Sequence, residues 1–233
     1  MDGAVTGQEL PLIGEPDRVR DALLYAAVPP VPAVESPVGI AWLRAHVPRF
    51  CDGDPHARRR ALVIAELDGV SPAELRERAQ TVEGPLPHVL ALAEALGLEK
   101  ISTDAVQLVA AHYQPFEPDN PHADAAVAEL VDALGGVPDE AMAARICLLV
   151  QACAATTALL TNAAKFDGTT DERLTRTMAE NPPLRATRRI VDGTLVELDL
   201  RHPGLGFGYG PHACPGRAHA LALAAGILDG EGE

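Results

Sequence analysis

The stretch that most constrains this chain is 146–164, which carries no formal charge over about five helical turns. It lies inside a longer helical run, 138–165. A helix that is apolar on every side either crosses a bilayer or forms the centre of a packed core. Gln151, Thr156, Thr157, Thr161 and Asn162 interrupt the apolar surface, and neither a second span nor a flanking basic cluster accompanies it. The expectation is a buried central helix and no membrane. Aromatic residues make up 3% of the chain against 47% hydrophobic residues, so the core must be mostly Ala, Leu and Val, which suits close-packed helices. The expected fold class is mainly α.

Other helices announce themselves by their ends. Ser71-Pro72-Ala73-Glu74 reads as an N-cap, a first-turn proline and an N3 acid, opening a helix to Gln80. Residues 85–98 repeat apolar side chains at helical spacing, and Gly97 ends them. Ser102 or Thr103 caps a helix to Tyr113, three prolines make 114–122 a loop, and 123–134 is amphipathic. Residues 171–180 form a short charged helix stopped by Asn181-Pro182-Pro183. Asp192-Gly193 marks the turn of a hairpin over 190–200, within a small β element at 182–200. The segment 1–40 is extended and irregular apart from a short helix at 17–27, with Pro29, Pro30, Pro32 and Pro37 holding it open. A helix at 40–47 carries the one tryptophan, Trp42; Asp54 and Pro55 then look like the cap and first turn of the next, so 54–165 is the helical part. At 233 residues the chain is read as a single domain, 1–233.

The net charge of −14 argues against nucleic acid or an anionic membrane as partner. Cys51, Cys147, Cys153 and Cys214 are far apart and form no disulfide or zinc framework, and residues 1–10 are polar rather than a signal sequence. The expected location is the reducing cytoplasm. Lys100 and Lys165 are the only lysines among many arginines and alanines, a bias that suggests a GC-rich bacterial genome.

The chemistry concentrates at Gly206-Phe207-Gly208-Tyr209-Gly210-Pro211-His212-Ala213-Cys214-Pro215-Gly216, followed by an apolar helical run, so that the loop and helix occupy 204–228. Alternate glycines let the backbone bulge and approach a flat ligand. Cys214 then sits at a helix N-terminus, whose free N–H groups favour a thiolate. Such a thiolate, with cation-capable His212 beside it, suits an axial ligand to haem iron. Two other readings stand beside this one. A free cysteine could simply be buried in a glycine-rich turn, or His202, His212, Cys214 and His219 could hold zinc, although no second cysteine supplies the usual paired spacing. Upstream, His56 and Arg60 are four apart on one helical face and can reach one anion together; the bland alternative is a solvated basic helix start.

These segments resemble those of the cytochromes P450. Phe-Gly-x-Gly-x-His-x-Cys-x-Gly is similar to the family's haem loop, which implies Cys214 as the iron ligand, with Phe207, Gly208, Gly210, His212 and Gly216 around the haem. Asp54-Pro55-His56 with Arg60 resembles the helix start that grips the haem propionates. Residues 152–157 resemble the kink of the central helix over the distal face, where Thr156 would line the oxygen or substrate pocket as a catalytic residue. Residues 182–189 resemble the strand after the family's Glu-x-x-Arg helix, with Arg189, or Arg188 by alternation, as a further propionate contact. The chain also departs from the family. Ala155 replaces the acid before the threonine, Thr175 and Met178 fall at the Glu and Arg positions, and there is no room for a long substrate lid or for the meander.

The resemblance therefore implies a reduced P450-like helical fold with a small β-hairpin or sheet, lacking most of the lid helices and the meander, and haem b as cofactor. It implies a haem-thiolate oxidoreductase of the monooxygenase or peroxygenase kind, or one of atypical haem chemistry, acting on a small organic or carrier-bound substrate in bacterial secondary metabolism. Without the acid and the redox-docking region, peroxide-driven or redox-neutral chemistry gains over reductase-fed turnover, and a redox partner loses support. Apolar surface left open by the missing lid favours a homo-oligomer or a partner enzyme. The alternative is a non-catalytic helper protein for a biosynthetic enzyme, against which the retained Cys214 and propionate-like residues speak. A haem-based sensor would need an output domain, and none is visible in the sequence.

Overall fold

The uncharged run lies in α8 (Glu140–Ala163), and the rest of the helices are arranged around it. The structure, a computed structural model, describes residues 9–32, 38–98, 100–117 and 120–231; the polar stretch 1–8, Pro37 and Pro118 lie outside these. In chain order, β1 (Leu12–Ile13) leads to α1 (Pro16–Tyr25), α2 (Ile40–His46), a 3₁₀ turn (Pro48–Phe50) and α3 (Gly53–Asp68). Then follow α4 (Pro72–Thr81), α5 (Pro87–Ala95), α6 (Thr103–Ala111), α7 (Pro121–Ala133) and α8. After it come α9 (Thr170–Glu180), β2 (Ala186–Val191), β3 (Thr194–Asp199), a 3₁₀ turn (Gly210–His212) and α10 (Arg217–Gly230). The class is mainly α, as the composition implied.

Helix α8 touches α2, α3, α5, α6, α7, α9 and α10. Its Ile146, Leu149, Val150 and Cys153 pack into one core with Val89 and Leu92 of α5, Val106 and Val109 of α6, and Val127 and Leu130 of α7. Each such side chain gains about 1.5–3 kcal/mol over remaining exposed, which is why a charge-free helix is best placed at the centre. By length and composition α8 could cross a membrane, yet 50% of its most apolar window is buried inside the protein. The α-helical hydrogen-bonding pattern runs without a break through 152–157, the stretch expected to kink.

The capping signals hold where the cap is local. Ser71 Oγ accepts from the Glu74 N–H and Ser102 Oγ from the Ala105 N–H, and Gly97 ends α5 at φ +70°. The start of α3 differs from expectation. The helix begins at Gly53, and Asp52, not Asp54, occupies the N-cap position without capping it. The Asp52 carboxylate is committed elsewhere, accepting from the Val28 N–H and from His212 Nε2, each at 2.9 Å. Pro121 also starts α7 rather than ending the loop, because Asn120 Oδ1 caps the helix there.

The hairpin turn is Asp192-Gly193, both at positive φ (49° and 75°), the type I′ geometry that matches strand twist. Strand pairing begins at Ala186, earlier than the hairpin expectation, and β1 adds in parallel to β3 to give the order β1-β3-β2. A two-residue strand leaves no periodicity to read in sequence. Strand alternation sends Arg188 and Arg189 to opposite faces. At the other end, α10 lies unusually close to α4, with Gly226 against the Arg76 carbonyl and Gly230 against Gln80, where an added Cβ would come within 2.5 Å of the Gln80 oxygen. The fold is reduced as expected: α7 alone separates α6 from α8, and β3 leads into the cysteine turn with no intervening helix or strand.

Candidate functional site

The cysteine loop is tied at both ends by its own backbone. The Cys214 N–H donates to the Phe207 carbonyl at 2.8 Å and Gly208 N–H to Leu205 at 2.8 Å. Gly208 and Gly210 take φ of +73° and +69°. At Gly210 a Cβ would meet the Leu24 side chain at 2.9 Å and the Leu23 carbonyl at 3.2 Å, so only glycine lets α1 pack on the turn. Phe207 is half-buried under the Arg217 guanidinium, 5.5 Å from its ring centre. Gly216 is the N-cap residue of α10, so the Cys214 sulfur precedes the helix. The residue is exposed, but protein crowds the sulfur closely enough that burial pushes the thiol pKa up; the Gly216 N–H, Arg60 and Arg49 pull it down by less. The helix terminus alone therefore does not favour a thiolate here, whereas a bound metal cation would.

Beside the loop lies a cradle of cation-capable groups. His56 on α3 is 6% exposed, and its ring centroid lies 4.0 Å from that of His212, with the planes at 40°. His212 Nε2 donates to Asp52 Oδ1. Burial, followed by the fields of His212 and Arg60, lowers the His56 pKa to about 4; burial also lowers His212 despite Asp52. Arg189 is 5% exposed and donates to the Arg188 carbonyl at 2.8 Å, while burial lowers its pKa as well. Half-buried Arg60 adds its field to both histidines and to Cys214. Two buried atoms, His56 Nε2 and Arg189 Nε, have no hydrogen-bond partner. Buried polar atoms are normally satisfied, so this pair points to an acceptor that the protein alone does not provide. Arg188 faces away, paired with Glu197 and stacked on Phe116.

Thr156 on α8 is 1% exposed, and its Oγ1 also lacks a partner. The back-bond to a carbonyl one turn earlier belongs to its neighbour instead: Thr157 Oγ1 donates to the Cys153 carbonyl at 2.8 Å. Ala154, Ala155 and Thr157 are exposed on the same stretch. Met178, at the position of the missing arginine, packs on the cysteine loop; a Cβ on Gly206 would come within 2.5 Å of Met178 Cε.

The zinc reading does not survive. His202 Nε2 bonds the Gly14 carbonyl between β1 and α1, and His219 Nε2 bonds the Leu67 and Val70 carbonyls at the end of α3, so both rings are engaged with backbone. Among the described residues no three His, Cys, Asp or Glu side chains converge on a metal position. Arg58 and Arg59 both bind Glu140 and fasten α3 to the start of α8. Sequence reasoning missed Arg49, in the turn before α3, whose NH1 donates to Gln151 Oε1 of α8 at 3.4 Å and whose field reaches Cys214 and Arg189. Nothing periodic marks it; the one available signal was an arginine on a short turn just ahead of the Asp-Pro-His helix start.

The donor set fits haem. A soft sulfur ligand suits the iron, glycines allow a flat ring to approach, and cations with two unpartnered buried nitrogens suit its carboxylates.

No protein-family model matches this chain, and no curated protein does. Solved structures do. A substrate-free cytochrome P450 from Bacillus megaterium aligns with a TM-score of 0.61 at 16% identity, covering 92% of this chain and 82% of that one. A thermophilic cytochrome P450 from Sulfolobus tokodaii gives 0.60 at 15% identity over 84% and 75%. P450BioI, solved with an acyl carrier protein bearing hexadec-9Z-enoic acid, gives 0.59 at 15% identity over 92% and 82%. At these identities the shared property is the path of the backbone. The protein has a cytochrome P450-like fold in reduced form.

Proposed function

We propose that this protein is a cytoplasmic haem-thiolate oxidoreductase acting on a small organic or carrier-bound substrate of bacterial secondary metabolism. The observation that carries the reading is the meeting of Cys214, His56, Arg60, His212 and Arg189 at one site, with buried nitrogens of His56 and Arg189 unpartnered. Cys214 would hold the iron of haem b, and the histidines and arginines would hold its carboxylates. Bound there, the haem supplies oxidative chemistry, with the thiolate donating electron density that favours O–O cleavage. The chain's own part is positional. Gly208 and Gly210 would let the backbone approach the cofactor, Phe207 would help hold it, and the unpartnered Thr156 hydroxyl is free to hold a proton or a polar substrate group. Ala155 cannot relay protons, and no segment resembles a redox-docking meander, so peroxide-driven or redox-neutral turnover is favoured over reductase-fed turnover. The structural likeness to a P450 solved with an acyl carrier protein supports a carrier-bound substrate as one choice.

The test is haemin loading of the purified chain and of Cys214→Ser, followed by turnover with peroxide alone against NADPH plus reductase. Uptake with a thiolate-type spectrum that Cys214→Ser loses supports the reading. A wild-type chain that takes up no haemin overturns it in favour of a non-catalytic helper.

A further inference from the structure

We propose that His219 is a positioning residue of the haem site, which sets the place of Cys214 along α3. The inference rests on the reading of 206–216 as a haem loop. The two halves of the site stand on different helices: His56 and Arg60 belong to α3, and Cys214 leads into α10. Those helices take most of their packing from elsewhere, α3 from α8 and α10 from α4. Contacts at the two ends of α3 join them. At its start, the His56 and His212 ring centroids lie 4.0 Å apart, and Asp52 meets His212 Nε2 at 2.9 Å. At its end, His219 Nε2 meets the Val70 carbonyl at 2.9 Å and the Leu67 carbonyl at 3.2 Å. Gly216 adjoins the same place, where an added Cβ would touch Leu67 Cδ1 at 3.5 Å. His56 and Leu67 are about 16 Å apart along the helix, at about 1.5 Å per residue. Cys214 lies in the chain between these two attachments, so α3 splints the loop on either side of the sulfur.

The attachment at His219 is directional. A carbonyl oxygen only accepts, so both contacts place the proton on Nε2, which donates to Leu67 and Val70 where α3 runs out of its own donors. The other ring nitrogen, Nδ1, is buried and bonds to nothing. A leucine would fill the same space without stranding a nitrogen, so shape alone does not account for a histidine here; the two bonds do. A side chain that fixes a ligand-bearing loop against the helix gripping the rest of the cofactor sets the geometry of both. Without it the carboxylate grip stays on α3, and the sulfur loses its register.

The test is haemin titration, with the spectrum of the loaded, reduced protein under carbon monoxide, on the full chain and on His219→Leu, His219→Gln, His219→Asn and Ser102→Ala. His219→Leu should weaken haemin binding by about tenfold or more and lose most of the red-shifted Soret band. His219→Gln, long enough to return an N–H to the carbonyls, should restore both, and the shorter His219→Asn should not. Ser102→Ala removes the cap of α6 and reports loss of stability alone, with the band unchanged. Should His219→Leu not fold, the contrast between His219→Gln and His219→Asn decides. Wild-type affinity and band in His219→Leu overturn the proposal, as does equal behaviour of the Gln and Asn variants. A band lost in Ser102→Ala as well also overturns it, since the signature then follows stability alone. A wild-type chain without the red-shifted band defeats the underlying haem reading instead.

Discussion

Acid should destabilise the haem-free protein through one residue of the cradle, His56. Its pKa is lowered from 6.5 to about 4, first because the ring is buried and then because His212 and Arg60 oppose a third positive charge. A histidine whose folded pKa lies below its unfolded one favours folding while neutral. That contribution is complete above pH 6.5 and is lost as the pH falls from 6.5 toward 4. Converted in full at about 1.36 kcal/mol per pKa unit this amounts to about 3 kcal/mol, and screening by water around the loop cuts it to about 1–2 kcal/mol. In a domain of this size 1 kcal/mol moves Tm by about 2–4 °C, so the expected loss is about 2–8 °C. His56→Gln keeps a polar side chain of similar size and removes the titration. Thermal melts followed by circular dichroism at pH 7, 6, 5 and 4 should show wild type losing about that much more Tm than the variant. Parallel curves for the two proteins would refute the reasoning, as would a variant more sensitive to acid than wild type. Glu140 and Asp199, held at about 2 by their arginine partners, begin to cost stability as the pH falls toward 4, equally in both proteins, so they cancel in the comparison.

Two further substitutions probe the packing and the distal helix. Gly226→Ala puts a methyl into the Arg76 carbonyl and against Ala79 Cβ, so it should cost about 1–3 kcal/mol or more in urea unfolding, whereas Gly230→Ala, at the last residue of α10, should cost less. Thr156→Val removes a buried hydroxyl that bonds to nothing, so haem-free stability should be unchanged or rise by about 1 kcal/mol. A clear loss would mean that the hydroxyl is bonded to the helix after all. The same change at Thr157, which does bond back to Cys153, should destabilise.

What the sequence disclosed follows the range of the interactions involved. Ser71, Ser102 and Asp192-Gly193 work with partners a few residues away, and their elements lie where the sequence places them. The charge-free stretch 146–164 needed only burial, and α8 is central. Asp52 and Asp54 could not be ranked as caps, because the deciding partners, Val28 and His212, are distant along the chain. Arg188 and Arg189 were separable in principle by strand alternation, but the face turned to the cradle depended on a tertiary arrangement. The adjacent threonines differ in a way no local pattern distinguishes: Thr157 bonds the helix, and Thr156 is unpartnered. At Cys214 the favourable helix terminus was visible and the opposing desolvation was not, since burial of a sulfur is a property of the packed molecule.

The central claim is a thiolate-ligated haem on Cys214, and the absorption spectrum of the haemin-loaded, reduced protein under carbon monoxide tests it most directly. The account predicts a Soret band shifted well to the red, as thiolate ligation produces, and its loss in Cys214→Ser. A band at the ordinary position of histidine-ligated haem in wild type, or a spectrum unchanged by Cys214→Ser, would contradict it.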